Sequence, residues 1–283
     1  MKYGSALPLT ANPDLAAVRD YVQTLDGAGF DFMGVGGHLL SAPPDRYPGR
    51  PPMTYVGPFY DPFVLFSYLA AHTQRIEFQT SILILPLMPT ALVAKQAAEL
   101  SIFSGGRFAL GVGISWNEQE YEALGQDVHT RGRRLAEQVR VLRRLWTEPF
   151  VTFKGRWHNL DNVGLNRLPP IIPIWFGTGL DNEGVLRRVG RLADGWAPLG
   201  DPTPALPKVR QYVSEANRDP SALMVRGGVS AGGDGPAAWV TAATALQSAG
   251  VTHINIGAPP DLQGRQALDR IVEAKGVLAS ALG

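Results

Sequence analysis

A chain of 283 residues, 45% of them apolar, has the material for one large core, and a formal net charge of +1 gives no electrostatic case for a nucleic-acid partner. The absence of cysteine excludes a disulfide frame, a thiol nucleophile and a thiolate metal site; no metal centre is expected, and the composition fits a cytoplasmic protein. The N-terminal MKYGSALPLTANPD holds no apolar stretch long enough for a signal peptide, and the uncharged run Phe78 to Ala94 is broken by Pro86 and Pro89, so no membrane span is expected.

In chain order, short apolar runs alternate with amphipathic ones. Lys2 to Leu9 predicts a strand, and a helix follows from about Pro13 to Ala28, capped by Asn12 and closed by Gly29. Phe30 to Val35 is the second strand, and a long proline-rich loop leads to a helix over Asp61 to His72. Ile76 to Leu85 is the third strand, Thr90 to Phe103 a helix, and Phe108 to Val112 the fourth strand. Two helical pieces follow, Asn117 to Leu124 and Arg131 to Trp146, the second carrying Leu135, Val139, Leu142 and Trp146 on one face. A small excursion from Val151 to Asn166 precedes a fifth strand at Ile172 to Phe176. Helix Asp181 to Leu192, strand Gly195 to Pro198, helix Pro204 to Asn217, strand Leu223 to Ser230, helix Pro236 to Ala249, strand His253 to Ile256 and helix Gly264 to Ala281 complete the chain. Eight strand–helix units with no dividing linker predict a single domain over residues 1–283, an α/β closed barrel of the TIM, (β/α)8, type.

Such barrels carry their chemistry in the loops after the strands. After the second strand come Gly36, Gly37 and His38, then a loop to Tyr60 that holds Tyr47, Arg50, Tyr55 and Phe59 and serves either as a substrate wall or as a plain surface excursion. His38 at a strand end offers an imidazole for a proton or a hydrogen bond, or fills a structural place. After the fourth strand, Gly113 and the run Ile114-Ser115-Trp116-Asn117-Glu118 lead into a helix whose first turn has the capping-box spacing, Asn117 with Glu120. This is either a tight turn or an anion site built on free N–H groups. Gly177, Thr178 and Gly179 after the fifth strand repeat the arrangement. Thr80, Ser81 and Ile82 place small polar groups in the third strand where a planar heterocycle would lie, or simply bury their hydroxyls.

The segments SGGRFALGVGISWNEQEYEALG, HTRGRRLAEQVRVLRRLW, GRWHNL, PPIIPIWFGTG and RLADGWAP, with TSILILP and PTALVAKQAAELSIFSGGR upstream, resemble the luciferase-like monooxygenase superfamily, and in particular its short deazaflavin-dependent oxidoreductases. The resemblance implies coenzyme F420 as cofactor, with FMN as the alternative, and hydride transfer to or from a small organic substrate; the alternatives are an FMN monooxygenase using oxygen and a non-catalytic flavin-binding barrel. It also implies a homodimer. By residue, it implies a cis peptide bond at Ser81–Ile82 behind the ring and His38 as the histidine beside it. Gly113, Ile114, Ser115, Asn117 and Glu118 would approach the cofactor tail, with Gly177, Thr178 and Gly179 as a phosphate loop. Arg131 would bind the acidic tail, while Arg133 and Arg134 form a solvated helix face. Asp194, Gly195 and Trp196 are architectural. Gly37 stands where the family often has an acid, so no paired acid–histidine proton relay is expected.

Overall fold

Strand pairing in a chain with short alternating apolar runs is decided by which edges find partners, and here every edge of the main sheet does. The computed structural model describes residues 1–8, 14–41, 43, 45, 59–233 and 235–283. Strands β1 (Lys2–Ala6), β2 (Phe32–Gly37), β3 (Glu77–Ile84), β4 (Phe108–Gly113), β7 (Ile174–Thr178), β8 (Gly195–Pro198), β9 (Met224–Ser230) and β10 (His253–Gly257) close a parallel barrel in the order β1-β10-β9-β8-β7-β4-β3-β2. Between β4 and β7 the excursion forms an antiparallel pair, β5 (Val151–Lys154) and β6 (Asn159–Val163). The predicted barrel, the excursion after strand four and the long connection after strand two are all present.

Helices cover the outside: α1 (Leu15–Gly27), α2 (Pro62–Ala70), α3 (Thr90–Phe103), α4 (Glu118–Ala123), α5 (Arg131–Thr147), α6 (Glu183–Leu192), α7 (Leu206–Glu215), α8 (Pro236–Ser248) and α9 (Gly264–Leu282). Several start on side-chain caps: Asp14 accepts from the Ala16 N–H, Asp61 from Val64 and Asn182 from Val185. Asp14, not Asn12, caps α1; Asn12 and the loop residues Tyr47, Arg50 and Tyr55 lie outside the described residues. The apolar stripe of α5 is buried as its spacing predicts, with Leu135, Val139, Leu142 and Trp146 in the core and the indole N–H of Trp146 donating to the Ala94 carbonyl at 3.0 Å. No helix among the described residues is long and apolar enough to cross a membrane.

Two strands sit two residues later than the pattern predicts. β2 begins at Phe32 because Phe30 closes α1: its N–H donates to the Leu25 carbonyl after Gly29 turns with φ +75°. β7 runs on to Thr178, since its parallel ladder to Ala197 and Pro198 does not depend on which side chains the strand carries. Both shifts push the ladder toward the strand C-termini and bring Gly37 and Gly177 into the sheet, immediately below the site.

Candidate active site

At the C-terminal mouth of the barrel lies a cavity of about 490 Å3, within the ordinary range for small-ligand pockets. Its wall on the β3 side is Ser81 and Ile82, joined by a cis peptide bond as the resemblance implies. Strand β3 slips register here against both neighbours, between Val35 and Gly37 on β2 and between Gln79 and Leu83 on its own ladder to β4, so the bulge turns Ile82 toward the barrel axis. Room for Ile82 is made by two glycines. A Cβ on Gly113 of β4 would strike Ile82 Cδ1, and one on Gly177 of β7 would strike Ile82 Cγ2.

His38 follows directly on β2 and lines the same cavity. Its Nδ1 lies 2.8 Å from Glu120 Oε2, and Glu120 Oε1 accepts the N–H groups of Leu39 and Leu40 at 2.7 and 3.1 Å. A carboxylate can only accept, so the pairing assigns the proton to Nδ1 and leaves Nε2 as the nitrogen free to exchange one. Burial by itself would raise the Glu120 carboxyl. The bond from His38, the Leu40 N–H, the imidazole charge and the Leu39 N–H outweigh it and hold the group below the usual carboxylate range. Phe59 packs at 4.9 Å and Trp116 at 6.2 Å, centroid to centroid, against the imidazole.

This corrects two expectations. Glu120 does not complete a capping box, because Asn117 stands at the N-cap position without a side-chain bond and its Oδ1 is buried with no partner. The Asn117 N–H instead donates to Ser115 Oγ at 3.1 Å, from a Ser115 held at φ 54°. An acid–histidine pair does exist, supplied from α4 instead of the position of Gly37.

Of the residues singled out in the sequence, His38, Ser81, Ile82, Gly113, Ile114, Ser115, Gly177, Thr178 and Gly179 line the cavity together. Asn117, Glu118 and Arg131 do not. Tyr121 fixes the loop between them by donating to the Ile114 carbonyl at 2.6 Å. Arg131 turns back on its own segment and donates to the Val128 carbonyl at 2.7 Å. Arg133 is exposed as expected, whereas Arg134 is half-buried and bonds Gln126 Oε1. Asp194 is architectural, accepting from the Ile174 N–H and from Arg143, each at 2.8 Å.

Two cations in the lining were not anticipated. Arg188 of α6 lies over Gly132, and burial together with the neighbouring Arg131 and Arg191 depresses its guanidinium. Arg226 of β9 reaches across the barrel to Gln79 and Ser81. Among the described residues no cluster of acidic and histidine side chains could hold a metal ion.

A family model described as luciferase-like monooxygenase matches residues 1–275. An uncharacterized protein of Mycobacterium tuberculosis is 39% identical over 140 residues, 49% of this chain and 48% of that protein. An F420-dependent glucose-6-phosphate dehydrogenase of Kineococcus radiotolerans is 34% identical over 137 residues, 47% of this chain and 40% of that enzyme. These alignments span about half the length of such curated relatives or less. Among solved structures, an F420-dependent secondary alcohol dehydrogenase in complex with an F420-acetone adduct superposes with a TM-score of 0.78 over 98% of each chain at 18% identity, a likeness of fold.

Proposed function

Because this chain belongs to the luciferase-like monooxygenase family, we propose that it is an oxidoreductase that binds coenzyme F420 at the mouth of its barrel and moves a hydride between that ring and a small organic substrate. The observation that carries the reading is the His38–Glu120 pair at the edge of an apolar cavity walled by Ile82. The residues fit a flat, anionic-tailed cofactor. Ile82, wedged between Gly113 and Gly177, offers a hydrocarbon surface to a ring face, and Arg188 is a cation in the lining that pairs with no acidic side chain among the described residues. When bound, the ring supplies the hydride chemistry.

The chain's own residues do the rest. Ser81 and Ile82 support the ring from β3, and the backbone of Gly177, Thr178 and Gly179 continues the same wall beside Ile82. Arg188, close enough to Arg131 to be depressed by it, faces the tail charge for which the sequence offered Arg131 as the cation. Phe59 and Trp116 keep water from His38. Glu120 holds the imidazole in one tautomer and one orientation, so that Nε2 gives a proton to a substrate oxygen, or takes one from it, as the carbon bearing that oxygen is reduced or oxidised. The F420-dependent relative and the fold of the alcohol dehydrogenase support the choice of cofactor.

The test is titration of the purified protein with F420 and with FMN, followed by turnover of His38→Ala and Glu120→Gln with a panel of small alcohols and carbonyls. We expect F420 to bind more tightly than FMN, and both variants to lose about 100-fold or more in kcat, the usual size of a lost acid–base group, with cofactor affinity little changed. FMN binding with oxygen-dependent turnover would replace the reading with a monooxygenase. Binding of neither would remove it.

A further inference from the structure

We infer that Arg226 sets substrate specificity, its guanidinium receiving the carboxylate of an acidic substrate where two cavities meet. The inference deepens the proposed function and rests on its reading of the first cavity as the reaction site.

Arg226 is the charged residue of β9, a strand otherwise apolar or glycine and serine, and it points inward to β3 on the far wall. Its Nη1 donates to Gln79 Oε1 at 3.1 Å and its Nη2 to Ser81 Oγ at 2.9 Å. Both acceptors are neutral, and they take two of the five N–H donors that a guanidinium carries. No ion pair reaches Arg226 among the described residues. Its neighbour on β10, His253, is packed between the rings of Phe32 and Trp175 and held neutral, its pKa pushed down to about 3 by burial, Lys2 and Arg226 itself. Burial lowers the Arg226 guanidinium to about 10, which leaves it protonated at neutral pH. A barrel interior therefore holds a full positive charge that no acidic side chain among the described residues neutralises. Such a charge is costly unless an anion joins it.

Position says where that anion lies. Arg226, Ser81 and Pro198 are shared by the first cavity and a second of about 660 Å3. The second is walled by Ala6, Gly227, Gly228 and Asn255 on the strand side and by Thr203 on the loop after β8. Asp201 also lines it, but its two oxygens are turned into their own loop, accepting the Thr203 N–H at 2.9 Å and the Thr203 hydroxyl at 2.7 Å. A small acid lodged in the second cavity would set its carboxylate on the free edge of the Arg226 fork, which matches carboxylate geometry in two parallel bonds. Its reacting carbon would then extend toward Ile82 and His38 in the first. Gln79 and Ser81 aim the fork, and Gly228, on the same face of β9 as Arg226, leaves the strand wall open beside it, a Cβ there meeting nothing nearer than the Asn255 carbonyl at 3.9 Å.

The experiment is binding of benzoate and of its neutral isostere benzamide to the purified full chain without cofactor, read by tryptophan fluorescence and calorimetry. Benzoate should bind at least about tenfold more tightly than benzamide, the size expected of one charge-assisted hydrogen-bonded pair. Arg226→Gln should remove that advantage and leave benzamide unchanged, and Arg226→Lys should keep part of it. Equal binding of the two probes to the wild type overturns the inference, even if the glutamine variant does not fold. Benzoate binding unaffected by Arg226→Gln, together with weakened F420 binding, also overturns it and assigns the guanidinium to the ring. Arg226-dependent benzoate binding in a protein that takes neither F420 nor FMN would sink the proposed function and leave this site standing.

Discussion

A single buried carboxylate organises the catalytic edge. Glu120 is 1% exposed and serves three donors, two backbone N–H groups and an imidazole, on the segment that follows β2. Removing it strands those donors, so Glu120→Ala should destabilise the fold by roughly 2 kcal/mol or more, measurable by chemical denaturation. Glu120→Gln keeps the shape but can offer only one oxygen. Its thermal midpoint should fall by less, while kcat falls with KM little changed. A variant that melts earlier with an unchanged kcat would show the carboxylate to be a brace only. The local sequence gave no access to this role, because Glu120 stands three residues after Asn117 and that spacing reads as a helix cap. Arg226 did leave a signal, one charge inside a strand of barrel type, where buried parallel strands are ordinarily continuous in apolar residues.

At the level of elements, strands β3, β4 and β7 meet at one side chain. Ile82 fills the space that two glycines on flanking strands leave open, so neither glycine can be changed alone. Gly177→Ala should displace Ile82 and weaken cofactor binding by about tenfold, a displacement cost of order 1 kcal/mol. The double variant Gly177→Ala, Ile82→Ala should recover much of the loss, because the new methyl then occupies vacated volume. Equal affinities for the single and double variants would mean that Gly177 acts through its backbone, as the phosphate-loop reading of the sequence had it. Helix ends were legible where a cap or glycine marks them. Strand ends were not: Phe30 looks like strand and serves as a helix stop, and only the ladder shows where β2 and β7 finish.

Over the whole molecule, three buried carboxylates knit the loops to the barrel. Asp26 accepts the N–H groups of Gln74, Arg75 and Ile76, and Glu137 holds Arg156, Trp157 and His158 beneath the β5–β6 excursion. Burial opposes ionisation of Asp26, Glu120 and Glu137, but the donors around each prevail and every one sits below its ordinary pKa. A depressed carboxylate stabilises the fold fully above its unfolded pKa and loses that contribution as pH falls through the folded one. Stability should therefore be level in this respect near neutrality and start to fall below the ordinary values of 3.8 for Asp and 4.5 for Glu. Asp26→Asn should cost roughly 2 kcal/mol at pH 7 and flatten the acid limb, followed by circular dichroism against pH. An unaltered acid limb would place the dependence elsewhere. The alternation of elements made the barrel readable, since period and turn residues are local; the clasps join residues dozens of positions apart and have no local pattern.

The two cavity walls divide between the halves of the chain. His38, Ser81, Gly113 and Glu120 come from the first four barrel strands and their loops, while Gly177, Arg188 and Arg226 come from the last four. The contact from Arg226 to Ser81 joins residues 145 apart in sequence. A fragment ending after β6 would keep the proton-handling pair but neither lining cation, and its complement would hold both Arg188 and Arg226 with nothing to position. Cutting the chain between β6 and β7 thus makes two silent pieces whose recombination is scored by the appearance of a ligand site. The pocket is in this sense a receipt for barrel closure, issued only when both halves have met.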